Sequence, residues 1–380
     1  MHPEFPHDDS LLYLNHAGVG PWPRRTADAV AAFAEENAVR GAADYPDWLA
    51  VERRLRERLA RLLGGVDTSD VSLVKNTSEG LSLVAYGLDW RGGDNVVIND
   101  QEFPSNRMVW ESLAQRFGVE VRDVSLASTD SPEDALLNAM DERTRVLPVS
   151  SVQYASGLRM DLSRLGAACR ANGTLFCVDA IQSLGALAFD APGCGADFVV
   201  ADGHKWMLGP EGIGVLYATP RARDALNLLQ YGWHMAAAMG DYDRTDWEPA
   251  RDARRFEAGS PNSLGIHALD ASLSLLEETG PETVESHVIS NARYLMDRVA
   301  AEPGLELLTP SAQARHAGIV TFRVAGAEPG RLFRELRGEG VICAARGGGI
   351  RFSPHFYNDR QQLDRAVETL LSLRSRAGTD

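Results

Sequence analysis

Between residues 71 and 218, short runs of β-branched and apolar residues alternate with longer stretches whose apolar positions recur every three or four residues. This alternation predicts repeated strand–helix units around a mostly parallel sheet, since a parallel pair of strands needs a crossover, usually helical, to bring the chain back. Seven strand-like runs are expected, at Val71–Asn76, Asn95–Asp100, Gly118–Leu126, Thr144–Gln153, Leu175–Asp179, Asp197–Asp202 and Gly212–Ala218. Between them, Pro104–Phe117 and Asp161–Asn172 read as helices, the second opened by an acidic cap and closed by Gly173. Ahead of the sheet, Thr26–Arg40 and Trp48–Leu63 carry the spacing of two amphipathic helices. After residue 260 the rhythm changes to two long helices, Gly265–Glu278 and Pro281–Ala301. A strand, a helix, two strands and a last helix from Asp359 to about Arg376 follow. The expected architecture is therefore α/β, with a seven-stranded large domain over residues 12–258 and a smaller C-terminal α+β domain over 259–380. Residues 1–11 are expected to pack near the smaller domain.

Composition narrows the function classes. Asp and Glu number 53 against 38 Lys and Arg, a formal charge of −15. Such a balance opposes non-specific binding to nucleic acid or to an anionic membrane, so any anionic ligand must be held by a local arrangement. No apolar run approaches the roughly 18 residues that span a bilayer, and the opening MHPEFPHDDS lacks the basic and apolar regions of a secretory signal. A cytoplasmic location is expected. Cys169, Cys177, Cys194 and Cys343 are scattered, with no pair at ligand spacing, so neither a zinc site nor a disulfide framework is indicated.

The chemistry concentrates at strand ends. In DFVVADGHKWMLGPEGIGVLY a buried strand runs into a polar turn carrying Lys205. Beyond the carboxyl end of a central strand, where open α/β sheets bind ligands, a desolvated lysine has a lowered pKa and serves as an amine nucleophile. A solvated loop lysine is the competing reading. LFCVDAIQSLG places Asp179 directly after another apolar strand. Pyridoxal phosphate needs a lysine to hold it as a Schiff base and an acid to keep its ring nitrogen protonated, and Lys205 with Asp179 matches both needs. Taken alone, Asp179 reads first as a helix cap whose capping box is completed by Gln182. In VSLVKNTSEG, Thr77 and Ser78 follow a strand and open a helix, where free N–H groups favour a phosphate; Asn76 with Glu79 is the capping alternative.

Read together, LYLNHAGVGP, NTSEG, EFPSN, VDAIQS, DGHKWMLGPEGIGVLY, FEAGSPNSLGIHAL and IRFSPHFYND resemble the class V aminotransferases. These are the fold type I pyridoxal phosphate enzymes that include cysteine desulfurases and isopenicillin N epimerase-like proteins. The likeness runs from about residue 12 to 370. It implies that Lys205 forms the internal aldimine and shuttles the substrate's α-proton, that Asp179 pairs with the ring nitrogen, and that Gln182 bonds the phenolic oxygen. Thr77, Ser78 and His204 are implied as phosphate contacts, and Phe103 as the residue stacked on the ring. Ser260 is implied to reach the phosphate of a neighbouring subunit, hence a homodimer with its active site at the subunit interface. Arg351 is implied to grip the α-carboxylate of an amino acid substrate, a task suited to a guanidinium. His16 and Tyr154 are expected to line the substrate pocket, and no metal is expected.

Departures bear on the reaction. Phe103 stands where desulfurases carry a histidine, and it cannot move protons. Those enzymes also need a mobile cysteine, whereas this chain has Ala344, Ala345, Arg346 and three glycines, with Cys343 reading as a buried strand residue. Asp202 replaces a phosphate-binding serine and is expected to bond His204. Transamination asks least of the residues present and is the expected reaction. The alternatives are C–S β-elimination and, third, epimerisation with His16, Tyr154 or His234 as a second base. A nicotinamide-dependent dehydrogenase is disfavoured, because no strand is followed by G-x-G-x-x-G.

Overall fold

Strands buried on both faces need no polar alternation, and the central runs LFCVD and FVVAD show none. The computed structural model describes residues 2–8, 10–126 and 131–377. The chain begins with β1 (Leu12–Tyr13), α1 (Arg24–Arg40) and α2 (Tyr45–Leu62). Strand–helix units follow: β2 (Val71–Val74) with α3 (Thr77–Gly87), β3 (Asn95–Asn99) with α4 (Ser105–Phe117), and β4 (Glu120–Val124) with α5 (Pro132–Asn138). Next come β5 (Thr144–Ser150) with α6 (Leu162–Asn172), β6 (Leu175–Asp179) with α7 (Ala191–Cys194), then β7 (Phe198–Asp202), β8 (Gly214–Ala218) and α8 (Pro220–Asp224). All seven expected strands are present; Leu175–Asp179 coincides with its expected run and the other six are shorter than expected by one to four residues.

They form one sheet in the order β2-β8-β7-β6-β5-β3-β4, in which β8 alone runs against its neighbours. The parallel strands therefore all end on one edge, and that edge collects Thr77, Glu102, Ser150, Asp179 and the turn after Asp202. Residues outside the carboxyl ends of strands are where open α/β sheets place ligands.

The C-terminal part comprises α9 (Ser263–Thr279), α10 (Pro281–Ala301), β9 (Leu305–Leu307), β10 (Val320–Val324) and α11 (Pro329–Gly338). It continues through β11 (Val341–Ile342), β12 (Ala344–Arg346) and β13 (Gly349–Phe352) to α12 (Arg360–Ala377). Four of these strands make an antiparallel sheet, β12-β13-β10-β9. No helix among the described residues is long and apolar enough to cross a membrane.

The apolar core divides elsewhere than the change of rhythm suggests. Helix α9 lies on α1 and α2, and its Ile266, Leu269, Leu273 and Leu276 belong to the large-sheet core together with Val284 and Val288 of α10. The second core begins on α10 at Ala292 and Leu295. Core membership thus changes within α10, some thirty residues beyond the expected boundary near 258. Conversely, β1 pairs in parallel with β11, and Leu12 and Leu14 sit in the second core, while Phe5 belongs to the first and stacks on Tyr357 at 3.6 Å. The N-terminal segment is a strap between both cores, because its apolar side chains have nowhere else to leave water.

Under that strap, His355 is wholly buried. Its Nδ1 accepts the Phe356 N–H at 2.8 Å, so Nε2 carries the proton and donates to the Trp206 carbonyl at 3.0 Å. Burial lowers its pKa to about 4 from 6.5. Between those values the unfolded chain binds the extra proton and the folded one does not, so stability is complete above pH 6.5 and is lost as pH falls toward 4. Denaturant titrations at pH 7 and pH 5 are expected to show a loss of about 2 kcal/mol from this residue. In His355→Gln the pH-dependent part should shrink by that amount even though the variant is less stable throughout.

Candidate active site

Lys205 and Asp179 are brought together as their strand positions require. β6 ends at Asp179, β7 lies beside it in parallel, and the turn that follows β7 carries Lys205 over the same edge. Both are buried. The turn is clamped from several sides. Gly20 donates its N–H to the His204 carbonyl at 2.7 Å, and a Cβ on Gly20 would stand 2.3 Å from the Lys205 carbonyl oxygen. Gly185 faces the Trp206 carbonyl oxygen as closely, so neither glycine admits a side chain. Trp206 donates its indole N–H to Gln182 Oε1 at 2.8 Å.

Electrostatics follow from burial. Loss of water pushes the Lys205 ammonium toward its neutral form, opposed by the negative charge of Asp179 and reinforced by the Arg351 cation. The Asp179 carboxyl is pushed upward by burial; the N–H of Ile181, 3.0 Å from Oδ1, works against this and the nearby Glu102 charge adds to it. Burial thus moves the lysine toward its neutral amine and the carboxyl toward its protonated form.

The other expected residues fall into two groups. Asn76 caps α3, its Oδ1 accepting the Glu79 N–H at 2.9 Å, while Glu79 Oε2 takes the Lys75 N–H, one residue short of a capping box. Thr77 Oγ1 is buried beside that helix start with no hydrogen-bond partner, and Ser78 Oγ donates to Ser105 Oγ at 3.0 Å, tying the starts of α3 and α4 together. His204 Nδ1 lies 3.0 Å from Asp202 Oδ1, yet the two are off-axis for a hydrogen bond and both atoms lack a partner. Phe103 presents its ring to Lys205, Nζ being 5.4 Å from the centroid, and Tyr154 meets that ring edge-on at 5.1 Å.

Arg351 is 2% exposed, donates to the Tyr154 carbonyl at 2.7 Å and to Asn15 Oδ1 at 3.3 Å, and leaves Nε unpaired. Among the described residues no carboxylate pairs with it, and burial lowers its pKa to about 10. A buried cation without a counter-ion is costly and is a strong receptor for an incoming carboxylate.

Geometry bears on three further expected contacts. His16 is fully buried, with Nδ1 2.8 Å from the Ser353 carbonyl and Nε2 2.8 Å from the Tyr357 hydroxyl, so both nitrogens are engaged within the protein. Gln182 is largely committed as well, since Nε2 also donates to the Ala17 carbonyl at 3.1 Å and a single amide N–H stays free. Ser260 is exposed in the segment after Glu257, and no hydrogen bond among the described residues joins it to Thr77, His204 or Lys205.

Sequence reasoning missed Glu102. This buried carboxylate accepts from Asn99 and Asn106 side chains at 2.8 and 2.9 Å, from the Ser150 N–H at 2.8 Å and hydroxyl, and from Gln153 at 3.1 Å. Its signal was its place in EFPSN, one residue before Phe103 and three after a strand. All four cysteines are buried, and burial pushes the Cys343 thiol up to about 12.

A family model described as aminotransferase class-V matches residues 12–366. A probable cysteine desulfurase of Methanothermobacter thermautotrophicus is 30% identical, covering 94% of each chain. Isopenicillin N epimerase of Streptomyces clavuligerus is 30% identical over 96% of each. Among solved structures, the cystine C–S lyase C-DES in complex with its reaction product cysteine persulfide superposes with a TM-score of 0.89 at 25% identity, covering 96% of this chain and 99% of that one. The cysteine desulfurase CsdA of Escherichia coli gives 0.86 at 24%, covering 98% and 99%. With a lysine and a carboxylate buried at the carboxyl edge of adjacent strands, and with the family model spanning nearly all of the chain, this protein belongs to the class V aminotransferase family of pyridoxal phosphate-dependent enzymes.

Proposed function

We propose that the protein is a C–S lyase acting on a cysteine-derived amino acid. The overall reaction is R–S–CH2–CH(NH3+)–COO− + H2O → R–SH + CH3–CO–COO− + NH4+. The observation that carries this reading is the absence of an available thiol beside relatives named for carbon–sulfur chemistry. Desulfuration through a protein persulfide needs a mobile thiolate at the substrate sulfur. Cys343 instead lies buried at the β11–β12 junction with its thiol held protonated. Elimination needs only a sulfur leaving group. Transamination, the reaction expected from the residues alone, yields first place because the relatives named above are called desulfurases, a C–S lyase and an epimerase. Epimerisation loses one of its second bases with His16.

Thr77 Oγ1, buried without a partner at a helix start, suits the cofactor's phosphate, and the buried Asp179 carboxyl suits its ring nitrogen. Pyridoxal phosphate, when bound, supplies a conjugated cationic ring that withdraws the electron pair released at the substrate's α-carbon. Thr77, Ser78, the first N–H groups of α3 and His204 would hold its phosphate, with Ser260 reaching that of a second subunit. Asp179 would keep the ring nitrogen protonated, Gln182 would turn its one free amide N–H to the phenolic oxygen, and Phe103 would cover the ring face. Lys205 would hold the aldehyde carbon and, once displaced by substrate, take the proton from the α-carbon, a role its neutral amine suits. Arg351 would receive the α-carboxylate, steadied by the Tyr154 carbonyl. The homodimer is supported by Tyr231, Trp233, Tyr242 and Trp247, aromatic side chains left exposed in the segment before Ser260.

Incubating the loaded protein with L-cystine or S-methyl-L-cysteine should yield pyruvate, ammonia and a sulfur product over many turnovers, with the cofactor retained in its aldehyde form. One stoichiometric keto acid with accumulating pyridoxamine phosphate would return transamination to the lead. Cys343→Ala should leave turnover unchanged; loss of activity in a folded variant would point to thiol-dependent desulfuration. Thr77→Val should weaken pyridoxal phosphate binding roughly tenfold without lowering the melting temperature of the cofactor-free protein, because the hydroxyl it removes bonds nothing there. For Arg351→Ala, KM for α-amino acids should rise about 10–150-fold, the worth of a charge-assisted hydrogen bond. An unaltered KM would place the carboxylate elsewhere.

A further inference from the structure

The register of the β12–β13 hairpin puts a second arginine next to Arg351. Ala344 stands opposite Arg351 and Arg346 opposite Gly349, so Arg346 lies on the same face of the sheet, diagonal to Arg351. Diagonal neighbours are roughly 7–8 Å apart, within reach of long side chains, and Gly349 puts no side chain between them. The hairpin turn at Gly347 and Gly348 is left-handed, and a Cβ on Gly347 would rest 3.5 Å from that of Ala155, the residue after Tyr154. The tip of the hairpin thus leans on the loop that holds Arg351 and borders Phe103.

Arg346 is exposed, and its one hydrogen bond among the described residues goes to the neighbouring Ala345 carbonyl at 2.9 Å. No carboxylate pairs with it among those residues. Its charge is nevertheless felt at the centre of the site, where it disfavours the cationic forms of both Lys205 and Arg351. The two acids that face Lys205, Asp179 and Asp202, offset the lysine. A substrate α-carboxylate offsets Arg351. No carboxylate described pairs with Arg346, so its guanidinium is open to an incoming anion.

We infer that Arg346 reads a second carboxylate, at the far end of the substrate's side chain, and that the preferred substrates are amino acids with a carboxylate beyond the sulfur, as in cystine or an S-(carboxyalkyl)cysteine. A guanidinium at the mouth discriminates by the bidentate bond that a substrate without the distal carboxylate cannot make. The sulfur substituent in this proposal rests on the lyase reading; the anion-binding position does not.

The test therefore measures binding apart from turnover. Glutarate and butyrate are titrated as competitors of the visible-absorption change that an amino acid produces in the pyridoxal phosphate-loaded protein. Glutarate should compete at lower concentration than butyrate, and Arg346→Gln should reduce that preference about tenfold. Arg346→Lys should keep part of it. A glutarate-to-butyrate ratio unchanged in Arg346→Gln overturns the assignment. In turnover, kcat/KM for S-(2-carboxyethyl)-L-cysteine relative to S-propyl-L-cysteine should fall by the same factor. If neither compound is cleaved while the competition ratio still shifts, the lyase reading fails and the role of Arg346 stands.

Discussion

The burial of Lys205 and Asp179 at one edge of the large sheet is the constraint on which the rest of the molecule turns. Both groups are taken out of water on the same side of the sheet because β6 and β7 are adjacent and parallel, and each carries its polar residue at or just beyond its carboxyl end, close enough for each charge to be felt by the other. The apolar runs Phe176–Val178 and Phe198–Ala201 exist to hold those two ends in a dry interior. Dryness makes the amine nucleophilic and the carboxyl proton-retaining, so the same desolvation that weighs on folding confers the chemistry.

Precision at the lysine comes from backbone packing. Gly20 and Gly185 let other segments press onto the turn, and His355 fixes it from below through the Trp206 carbonyl. The N-terminal strap, the large sheet and the second core therefore converge on one peptide stretch. Glu102 does the corresponding work on the other side. Its donors come from the end of β3, the start of α4, the end of β5 and the loop beyond, so one carboxylate sets where Phe103 and Tyr154 stand and through Tyr154 where Arg351 is held. It also places a fixed negative charge near Asp179.

Much of this was legible in the chain. Strands buried on both faces announce themselves as apolar runs, and a lone lysine, aspartate or Thr-Ser pair directly after such a run has few places to go but the carboxyl edge of the sheet. What misled were residues whose meaning depends on partners far away in sequence. His16 and Ser353 are 337 positions apart, and nothing local declares that the histidine is spent on that carbonyl. Gln182 is turned toward Ala17 and Trp206 in the same way. The break after residue 258 is a real change of rhythm, but α9 is amphipathic toward α1 and α2, and only their packing reveals which core it serves.

The sequence by itself determined the seven-stranded sheet, the lysine and carboxyl at its edge, the helix start that carries Thr77 and Ser78, and the family, because each is written in short-range periodicity or in a contiguous motif. Tertiary structure alone decided which polar groups stay unpaired. Thr77 Oγ1, Arg351 Nε and the Arg346 guanidinium, which no carboxylate meets among the described residues, are recognisable as receptors only after every neighbour has been accounted for. Hydrogen-bond satisfaction is a property of the whole packed chain and is not encoded at any one position.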